Sequence, residues 1–389
     1  MIDVPTPDLA ALVRGAAELE RTPRGLRPHR LPAWVGRQLP DGQLLAMEAQ
    51  PSGVRVALTT TATAVELVVH PTRLAYRQVE RPRGAVDLVV DGAVLASQPL
   101  TGGDAIETDL ATGTSALLPG VAQTVAFAGL PAGEKVVELW LPHNESVEVV
   151  ALRADAPVRP AADDRPLWVH HGSSISQGSN AATPTGIWPA VAARLGGVEL
   201  RNLGLGGSAL VDPSTARVVR DAPADLISVK LGINVVNLDG MRLRTFLAAV
   251  HGFLDTIRDG HPDTPLVLVT PIFCGIHEDA PGPGAFDPAA LAQGVARFTA
   301  NTRADLSAGR LTLRAVRDAL ASVAERRSDD PHLHLVDGLS LYGPGDADAH
   351  PLPDALHPDA ATHRLIGERF AAAAFGPGGP FASAAGSAR

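Results

Sequence analysis

The hydrophobic pattern of the chain changes near residue 160, and this change limits the possible fold more than any other feature. Between residues 43 and 152, apolar and polar residues alternate in short runs, as at 54–58, 65–69 and 86–90. Runs of this period separated by turn signals such as Asp91-Gly92 predict short antiparallel strands. Because no helical pattern lies between them, this part is predicted to be an antiparallel β-sandwich of jelly-roll-like type.

After a proline-rich segment at 151–166, apolar strands alternate with helical patterns. Strands are predicted at 167–169, 198–203, 226–231, 266–273 and 332–336, and helices at 187–195, 241–258, 311–323 and 361–375. This order predicts a parallel sheet covered by helices on both faces, an α/β domain of three layers. The 389 residues also exceed what one core usually organises. The predicted domains are a sandwich at 1–160, an α/β domain at 161–376 and a disordered tail at 377–389.

The charge balance excludes several partner classes. The chain has 33 basic and 42 acidic residues, a net charge of −9, and no concentrated basic stretch, which disfavours a nucleic-acid partner or an anionic membrane surface. Its apolar runs are far shorter than the ~20 residues that a membrane helix needs, so no membrane insertion is expected. Without a secretory signal pattern, and with Cys274 as the single cysteine, the sequence predicts a cytoplasmic protein.

The residues that could carry chemistry follow the predicted strands. In a parallel α/β sheet, ligands bind beyond the carboxyl ends of the strands. Serines, glycines and an asparagine follow the first three strands, and an Asp-x-x-His pair precedes the last helix; the four blocks are 172–178, 202–208, 232–234 and 354–357. These blocks are expected to meet at one edge of the sheet.

Each block has a use in nucleophilic catalysis. A serine hydroxyl needs a neighbouring base, histidine suits that task, and a carboxylate can orient the imidazole. Asp354 and His357 come from one short loop and can be held together. An oxyanion would need fixed donors, and the N–H groups of Ser174 and Gly207 with the Asn234 amide are the candidates.

The four blocks resemble the SGNH hydrolase superfamily, also called GDSL-type esterases, over residues 166–375. The resemblance implies a flavodoxin-like domain, Ser174 as nucleophile, Asp354 and His357 as the other triad members, and Ser174, Gly207 and Asn234 as oxyanion donors. The first block, Gly172-Ser173-Ser174-Ile175, is typical of a Gly-Ser-Ser-Ile branch, whereas the usual motif has aspartate at the position of Ser173. The third block has Val235 where the family usually has aspartate.

The front half resembles the sandwich that precedes the SGNH domain in some carbohydrate esterases, with the match carried by residues 84–88. Together these resemblances imply a serine esterase that hydrolyses a short-chain carboxylic ester through an acyl-serine, with a sugar or glycoside ester as the expected substrate. Neither a cofactor nor a metal is expected. Two alternatives remain: an O-acyltransferase with the same triad, and a non-catalytic carbohydrate-binding protein on an SGNH scaffold.

Several residues allow a second interpretation. Ser174 could cap the following helix, and Ser173 and Ser176 are rival nucleophiles. The acidic and histidine residues between 346 and 359 could be metal ligands, although their spacing matches no known metal motif. Trp188 and His171 are expected as substrate contacts, with a structural role as the alternative for each.

Overall fold

The computed structural model describes residues 1–162, 164–300 and 309–385. The chain forms two compact units. The first comprises Met1–Asp164 and Thr183–Thr185, and the second comprises Arg165–Ala182 and Gly186–Arg389. The last four residues of the predicted tail lie outside the described residues.

The first unit consists mainly of strands. Its strands are β1 (Ile2–Asp3), β2 (Val13–Arg14), β3 (Glu18–Arg21), β4 (Leu26–His29), β5 (Arg55–Thr60), β6 (Ala64–Tyr76), β7 (Ala85–Val90), β8 (Ala93–Pro99), β9 (Asp104–Thr108), β10 (Ser115–Leu118), β11 (Gln123–Ala128), β12 (Lys135–Trp140), β13 (Glu145–Ala154) and β14 (Val158–Pro160). Three short helices precede the main strands: α1 (Thr6–Leu12), α2 (Ala33–Gln38) and α3 (Gly42–Glu48).

These strands form two sheets around one core. The larger sheet has the order β10-β9-β6-β13-β4-β3, with β1 on β13 and β11 on β6, and the smaller has the order β14-β5-β12-β7-β8, with β2 on β5. All pairs are antiparallel except β6 with β9. Apolar side chains from both sheets, such as Val56, Val65 and Leu139, share one buried cluster. The predicted antiparallel sheet domain is therefore confirmed, and the jelly-roll-like type stays a prediction.

The second unit alternates strands and helices. The strands are β15 (Leu167–Gly172), β16 (Glu199–Gly204), β17 (Leu226–Lys230), β18 (Leu266–Val269), β19 (Gly284–Phe286), β20 (Phe298–Ala300) and β21 (Leu333–Val336). The helices are α4 (Ser174–Gln177), α5 (Trp188–Gly196), α6 (Pro213–Asp221), α7 (Ile233–Asn237), α8 (Leu243–Gly260), α9 (Pro288–Leu291), α10 (Leu313–Arg326), α11 (Gly338–Leu341), α12 (Pro344–Ala349), α13 (Ala360–Ala374) and α14 (Ala382–Ala385). A 3₁₀ turn spans Pro184–Gly186.

The main strands of this unit form a parallel sheet in the order β16-β15-β17-β18-β21, and β19 and β20 form a separate hairpin. The buried strands β17 and β18 have no exposed residue, as expected for strands covered on both faces. The predicted α/β fold with a parallel sheet is confirmed. The strand order places β15 and β17 side by side, which brings the chain segments that follow them to one edge.

An aromatic cluster fills the layer between the sheet and helices α5 and α13. Trp168 of β15 stacks on Phe370 of α13 at a centroid distance of 5.2 Å, and Trp188 of α5 lies 5.1 Å from the same ring. Past the end of α13, Phe381 is buried and its ring lies 5.4 Å from that of Phe375. The segment predicted to be a disordered tail is thus packed at Phe381. Among the described residues, no helix is both long and apolar enough to cross a membrane.

Candidate active site

The predicted nucleophile is the first residue of a short helix directly after β15. The backbone before the helix is extended at Ser173, and the Ser173 hydroxyl accepts the Ile175 N–H at 3.3 Å, so Ser173 is the N-cap. Ser176 is fully buried and hydrogen-bonded to His170 at 2.8 Å. Both rival serines therefore have structural partners. The alternative that Ser174 caps the helix is wrong, because that position belongs to Ser173.

Ser174, His357 and Asp354 form one hydrogen-bonded chain. Ser174 Oγ lies 2.8 Å from His357 Nε2, and His357 Nδ1 lies 2.7 Å from Asp354 Oδ2. The side chains of His357 and Asp354 are only 11% and 15% exposed, which limits competition from water. An ionised carboxylate can only accept, so Nδ1 carries the proton and Nε2 is left to accept the serine hydroxyl.

The loop from Asp354 to His357, called the Asp–His loop below, hydrogen-bonds the Asp354 carboxylate through its own backbone. Asp354 Oδ1 accepts the N–H groups of Leu356 at 3.0 Å and His357 at 2.7 Å. Burial by itself would raise the pKa of Asp354, but the hydrogen bonds and charge of His357, with the backbone N–H groups, lower it to about 2. Ala355 between them has φ +67°, an unusual conformation for a residue with a Cβ. This turn lets Asp354 reach back to both N–H groups and keeps it ionised at neutral pH.

The expected oxyanion donors lie in the segments that follow β15, β16 and β17: Ser174 begins α4, Gly207 is in a loop and Asn234 is in α7. In the described part of the chain, the N–H groups of Ser174 and Gly207 donate to no protein acceptor. Asn234 Oδ1 accepts the Ala209 N–H at 3.0 Å, so the NH₂ side of this amide is the one available to a ligand. Gly207 has φ +68°, in the left-handed region where glycine is favoured. The three groups are thus donors of the kind that an oxyanion requires.

Side-chain hydrogen bonds connect the segment that follows β15 to the segment that follows β16. Asn202 Nδ2 donates to the Ser176 carbonyl at 2.9 Å, and Gln177 Oε1 accepts the Gly206 N–H at 2.8 Å. Gly204 allows the close approach, because a Cβ there would lie 2.3 Å from the Gln177 nitrogen. The Gly207 N–H is therefore carried on a loop that is anchored directly to α4, the helix that begins with Ser174.

A network of uncharged polar groups lies beneath that helix. His170 contacts Ser176 through Nε2 at 2.8 Å and Ser228 through Nδ1 at 2.7 Å, and the Trp168 indole N–H donates to Ser228 Oγ at 2.9 Å. Complete burial lowers the pKa of His170 well below its ordinary value, so the ring is neutral. The sequence marked His170 only as a core histidine at the strand end, and its partners are 6 and 58 residues away.

The structure contradicts the two expected substrate contacts. Trp188 is 0% exposed and belongs to the aromatic cluster between sheet and helices. His171 is 1% exposed, with Nδ1 2.8 Å from the Leu203 carbonyl and its ring stacked on Phe253 of α8. His171 lies on β15, which helices cover on both faces, and Trp188 packs from α5 against Trp168 of β15 and Phe370 of α13, so neither side chain reaches solvent. Both residues have the structural role given as the alternative.

Two neighbours of the Asp–His loop were missed by the sequence reasoning. Asn180 Nδ2 donates to Asp354 Oδ2 at 3.1 Å. Phe298 of β20 donates its N–H to the Asp354 carbonyl at 2.9 Å, and its ring lies edge-on to His357 at 5.7 Å. Phe286 of β19 packs on Phe298 at 4.7 Å. Asn180 and Phe298 lie far from Asp354 in the sequence, so no sequence pattern indicates either contact.

Asp346 and Asp359, like Asp354, have protein partners. Asp346 pairs with Arg369 at 2.6 and 2.9 Å, and Asp359 caps α13 through the Thr362 N–H at 2.8 Å. No group of three or more His, Cys, Asp and Glu side chains within residues 1–162, 164–300 and 309–385 is arranged to hold a metal ion.

Comparison with known families assigns the second half of the chain. The model of the GDSL-like lipase/acylhydrolase family matches residues 171–365, which include every residue of the Ser174–His357–Asp354 chain and the expected oxyanion donors. The protein belongs to this family, as the resemblance of the four sequence blocks predicted. Residues 12–150 match the model of the N-terminal domain of SsfX3. A comparison with curated protein sequences gives no match.

Solved structures of similar proteins include two kinds of enzyme. The salicylyl-acyltransferase SsfX3 from a tetracycline biosynthetic pathway is 27% identical, with 92% of each chain covered and a TM-score of 0.75. A family two carbohydrate esterase from Clostridium thermocellum, solved with cellohexaose, is 16% identical, with 82% of this chain and 91% of that chain covered and a TM-score of 0.54. A family two carbohydrate esterase from Corynascus thermopiles with a carbohydrate-binding domain is 18% identical, with 86% and 94% covered and a TM-score of 0.53. At these identities the two esterases support the fold alone.

Proposed function

We propose that the protein is a serine acyl hydrolase that cleaves a short-chain carboxylic ester through an acyl enzyme on Ser174. The observation that carries this proposal is the continuous hydrogen-bonded chain from Ser174 Oγ to His357 Nε2 and from His357 Nδ1 to Asp354, at 2.8 and 2.7 Å. Donor groups without protein acceptors at Ser174 and Gly207 support it independently.

The first half-reaction forms the acyl enzyme. His357 Nε2 takes the hydroxyl proton while Ser174 Oγ bonds to the ester carbonyl carbon, and the carbonyl electrons move to oxygen. The Ser174 and Gly207 N–H groups and the Asn234 amide stabilise that oxyanion. When the C–O bond to the leaving alcohol breaks, its oxygen takes the proton from His357. The ionised Asp354 stabilises the imidazolium formed in between.

The second half-reaction releases the acid. A water molecule gives a proton to His357 Nε2 as its oxygen bonds to the acyl carbon, and the second oxyanion is held by the same donors. Collapse breaks the bond to Ser174 Oγ, which regains its proton from His357. One ester and one water thus give one acid and one alcohol. A sugar or glycoside ester remains our expected substrate, with the first unit as the candidate for recognising the sugar.

A second candidate function is O-acyl transfer, in which an alcohol replaces water in the second half-reaction. The 27% identity to a salicylyl-acyltransferase over 92% of the chain favours it. The chemistry at Ser174 is the same in both cases, so the two functions differ only in which acceptor reaches the acyl carbon. A purely carbohydrate-binding role is disfavoured, because binding alone would not require His357 within 2.8 Å of Ser174.

Turnover of p-nitrophenyl acetate by wild type and Ser174→Ala tests the nucleophile. We expect the alanine variant to lose at least about a thousandfold in kcat, since the remaining groups cannot form an acyl enzyme. Ser173→Ala is the matched control, because Ser173 only caps the helix, and it should stay within a few-fold of wild type. Wild-type activity in Ser174→Ala would refute the proposal.

Adding acceptors separates hydrolysis from transfer. With an acetyl or salicyl ester as donor, product analysis in the presence of methanol, glucose or a phenolic alcohol measures how the acyl group partitions. Free acid as the main product at all acceptor concentrations supports a hydrolase. A new ester that grows with acceptor at constant donor consumption identifies a transferase.

A further inference from the structure

The loop that follows the nucleophile helix contacts the carboxylate of the Asp–His loop. Asn180 lies just beyond the end of α4, and its Nδ2 donates to Asp354 Oδ2 at 3.1 Å. The same oxygen accepts the His357 Nδ1–H at 2.7 Å. The other oxygen is occupied by N–H groups of the loop itself. Among the described residues, Asn180 is therefore a side-chain partner of Asp354 that comes from outside the Asp–His loop.

The backbone around Asn180 is fixed even though the residue is exposed. The N–H groups of Gly178 and Ser179 both donate to the Ser174 carbonyl, at 2.8 and 2.9 Å. On the other side, His363 Nε2 donates to the Ser179 carbonyl at 2.9 Å, since His363 Nδ1 accepts the Trp188 N–H. Asn180 has φ +65°, a conformation that asparagine adopts more readily than most residues. The loop thus holds the amide in place at little conformational cost.

A carboxylate that orients a histidine must not turn away from it. Asp354 Oδ1 accepts two backbone N–H groups, whereas Oδ2 faces the imidazole. The Asp354 side chain as a whole is 15% exposed. A second donor on Oδ2 fixes the plane of the carboxylate from the side of the nucleophile loop. An amide suits this place because it donates without carrying a charge or titrating.

We propose that Asn180 is a positioning residue, which acts through Asp354 to keep His357 in line with Ser174; this rests on the proposed function of the Ser174–His357–Asp354 chain. Asn180 links the loop that carries the nucleophile to the loop that carries the base, so the two move as one piece. It does not touch the reacting atoms, and substrate binding does not depend on it.

Two substitutions separate this role from a structural one. Asn180→Gly removes the amide and keeps the left-handed backbone without strain. We expect kcat for p-nitrophenyl acetate to fall about five- to twentyfold, with KM within about twofold and the melting temperature near that of wild type. Asn180→Asp keeps the shape but places a second carboxylate beside Asp354. An added negative charge beside the Asp354–His357 pair favours protonation of the pair as a whole, so the acid limb of its kcat/KM profile should move to higher pH.

Asp91→Gly is the matched control, since Asp91 also has a positive φ and lies in a turn of the first unit; its kinetics should equal those of wild type. Wild-type kcat together with a wild-type acid limb in both Asn180 variants would overturn the positioning role. So would a loss of kcat that is matched by a fall in melting temperature. Ser174→Ala, measured alongside, separates failure of the proposed function from failure of the role of Asn180. An inactive Ser174→Ala with a fully active Asn180→Gly refutes only the role of Asn180.

Discussion

The kinds of buried polar group differ between the first unit and the region beneath Ser174 in the second unit. In the first unit the buried polar groups include ion pairs. Arg55 is only 1% exposed and lies 3.3 Å from Glu138, and Arg83 lies 2.8 Å from the buried Glu145. Beneath α4, the helix that begins with Ser174, the hydrogen-bonded groups described above are uncharged hydroxyl, amide and indole groups around a neutral His170. A cation that acts on this region is Lys230, whose pKa is lowered to about 8 by burial and which, beyond the effect of burial, lowers the pKa of His170 further.

The difference follows from what each region must do. A buried ion pair is costly to desolvate and very costly to break, but its charges are harmless in a region that carries no reacting group. The groups that hydrogen-bond beneath Ser174 position the helix without adding a charge of their own. The ionised group in the proposed triad is then Asp354, whose pKa is lowered to about 2. Substitutions should therefore affect mainly stability in the first region and mainly activity or pH dependence in the second.

The largest expected effect is on stability in the sandwich. Glu138→Ala leaves the Arg55 guanidinium buried without its carboxylate, and we expect the free energy of unfolding to fall by about 3–5 kcal/mol. Urea denaturation measures this change. Glu134→Ala is the matched control, because the Glu134–Arg159 pair is 64% and 58% exposed and should contribute little. If both variants lost equal stability, burial would not be the distinguishing feature.

The next effect is on activity without loss of stability. Asn234→Ala removes one expected oxyanion donor, and kcat should fall roughly a hundred- to a thousandfold, or about 3–4 kcal/mol in transition-state stabilisation. Steady-state kinetics with p-nitrophenyl acetate, together with a melting curve, check both parts. A variant that unfolds more readily and keeps its kcat would show that Asn234 is only a loop anchor through Ala209.

A pH-dependent effect of similar size is expected at His363. Burial lowers its pKa to about 4, whereas an unfolded histidine titrates near 6.5. The unfolded chain therefore binds a proton first, so this contribution to stability is complete above pH ~6.5 and is lost as the pH falls to about 4, by roughly 3 kcal/mol in total. His363→Gln keeps a donor for Ser179 and should reduce the pH slope of the unfolding free energy by about one proton. Urea titrations at several pH values between 7 and 4.5 measure the slope, and an unchanged slope would contradict the assignment.

The smallest expected effect concerns Phe298. Its ring lies edge-on to His357, which in the proposed reaction passes a proton to the leaving alcohol, so an aromatic leaving group would pass close to it. Phe298→Ala should lower kcat/KM for 2-naphthyl acetate about three- to tenfold, the equivalent of one aromatic contact, and change that for ethyl acetate much less. The ethyl ester is the internal control. Equal losses for both esters would mean that Phe298 only supports the loop.

The sequence predicted the positions of helices and strands better than the burial of individual side chains. The predicted helix at 241–258 is α8 (Leu243–Gly260), and the predicted strand at 226–231 is β17 (Leu226–Lys230). Periodicity reveals such elements because it reports which face of each is apolar. The three blocks that follow strands also predicted which polar residues would meet, since parallel strands end at one edge of the sheet. The fourth block, which precedes the last helix, supplies the Asp354–His357 pair that meets Ser174.

The errors and omissions arise from tertiary contacts. Trp188 and His171 were expected as substrate contacts, but a strand or helix next to a site also has residues that face the core. Asn180 was missed because it is 174 residues from Asp354. No periodic pattern or motif connects two loops so far apart, and only the folded sheet brings them together.

Covalent labelling of Ser174 tests the central claim most directly. A fluorophosphonate loses fluoride as it forms a stable bond with an activated serine, and its tetrahedral phosphorus resembles the tetrahedral intermediate of ester hydrolysis. Intact and peptide mass spectrometry of the treated protein should show a single adduct on the peptide that contains Ser174, absent from Ser174→Ala and much slower to form in His357→Ala. An adduct on another serine, or an equal rate in Ser174→Ala, would contradict the account.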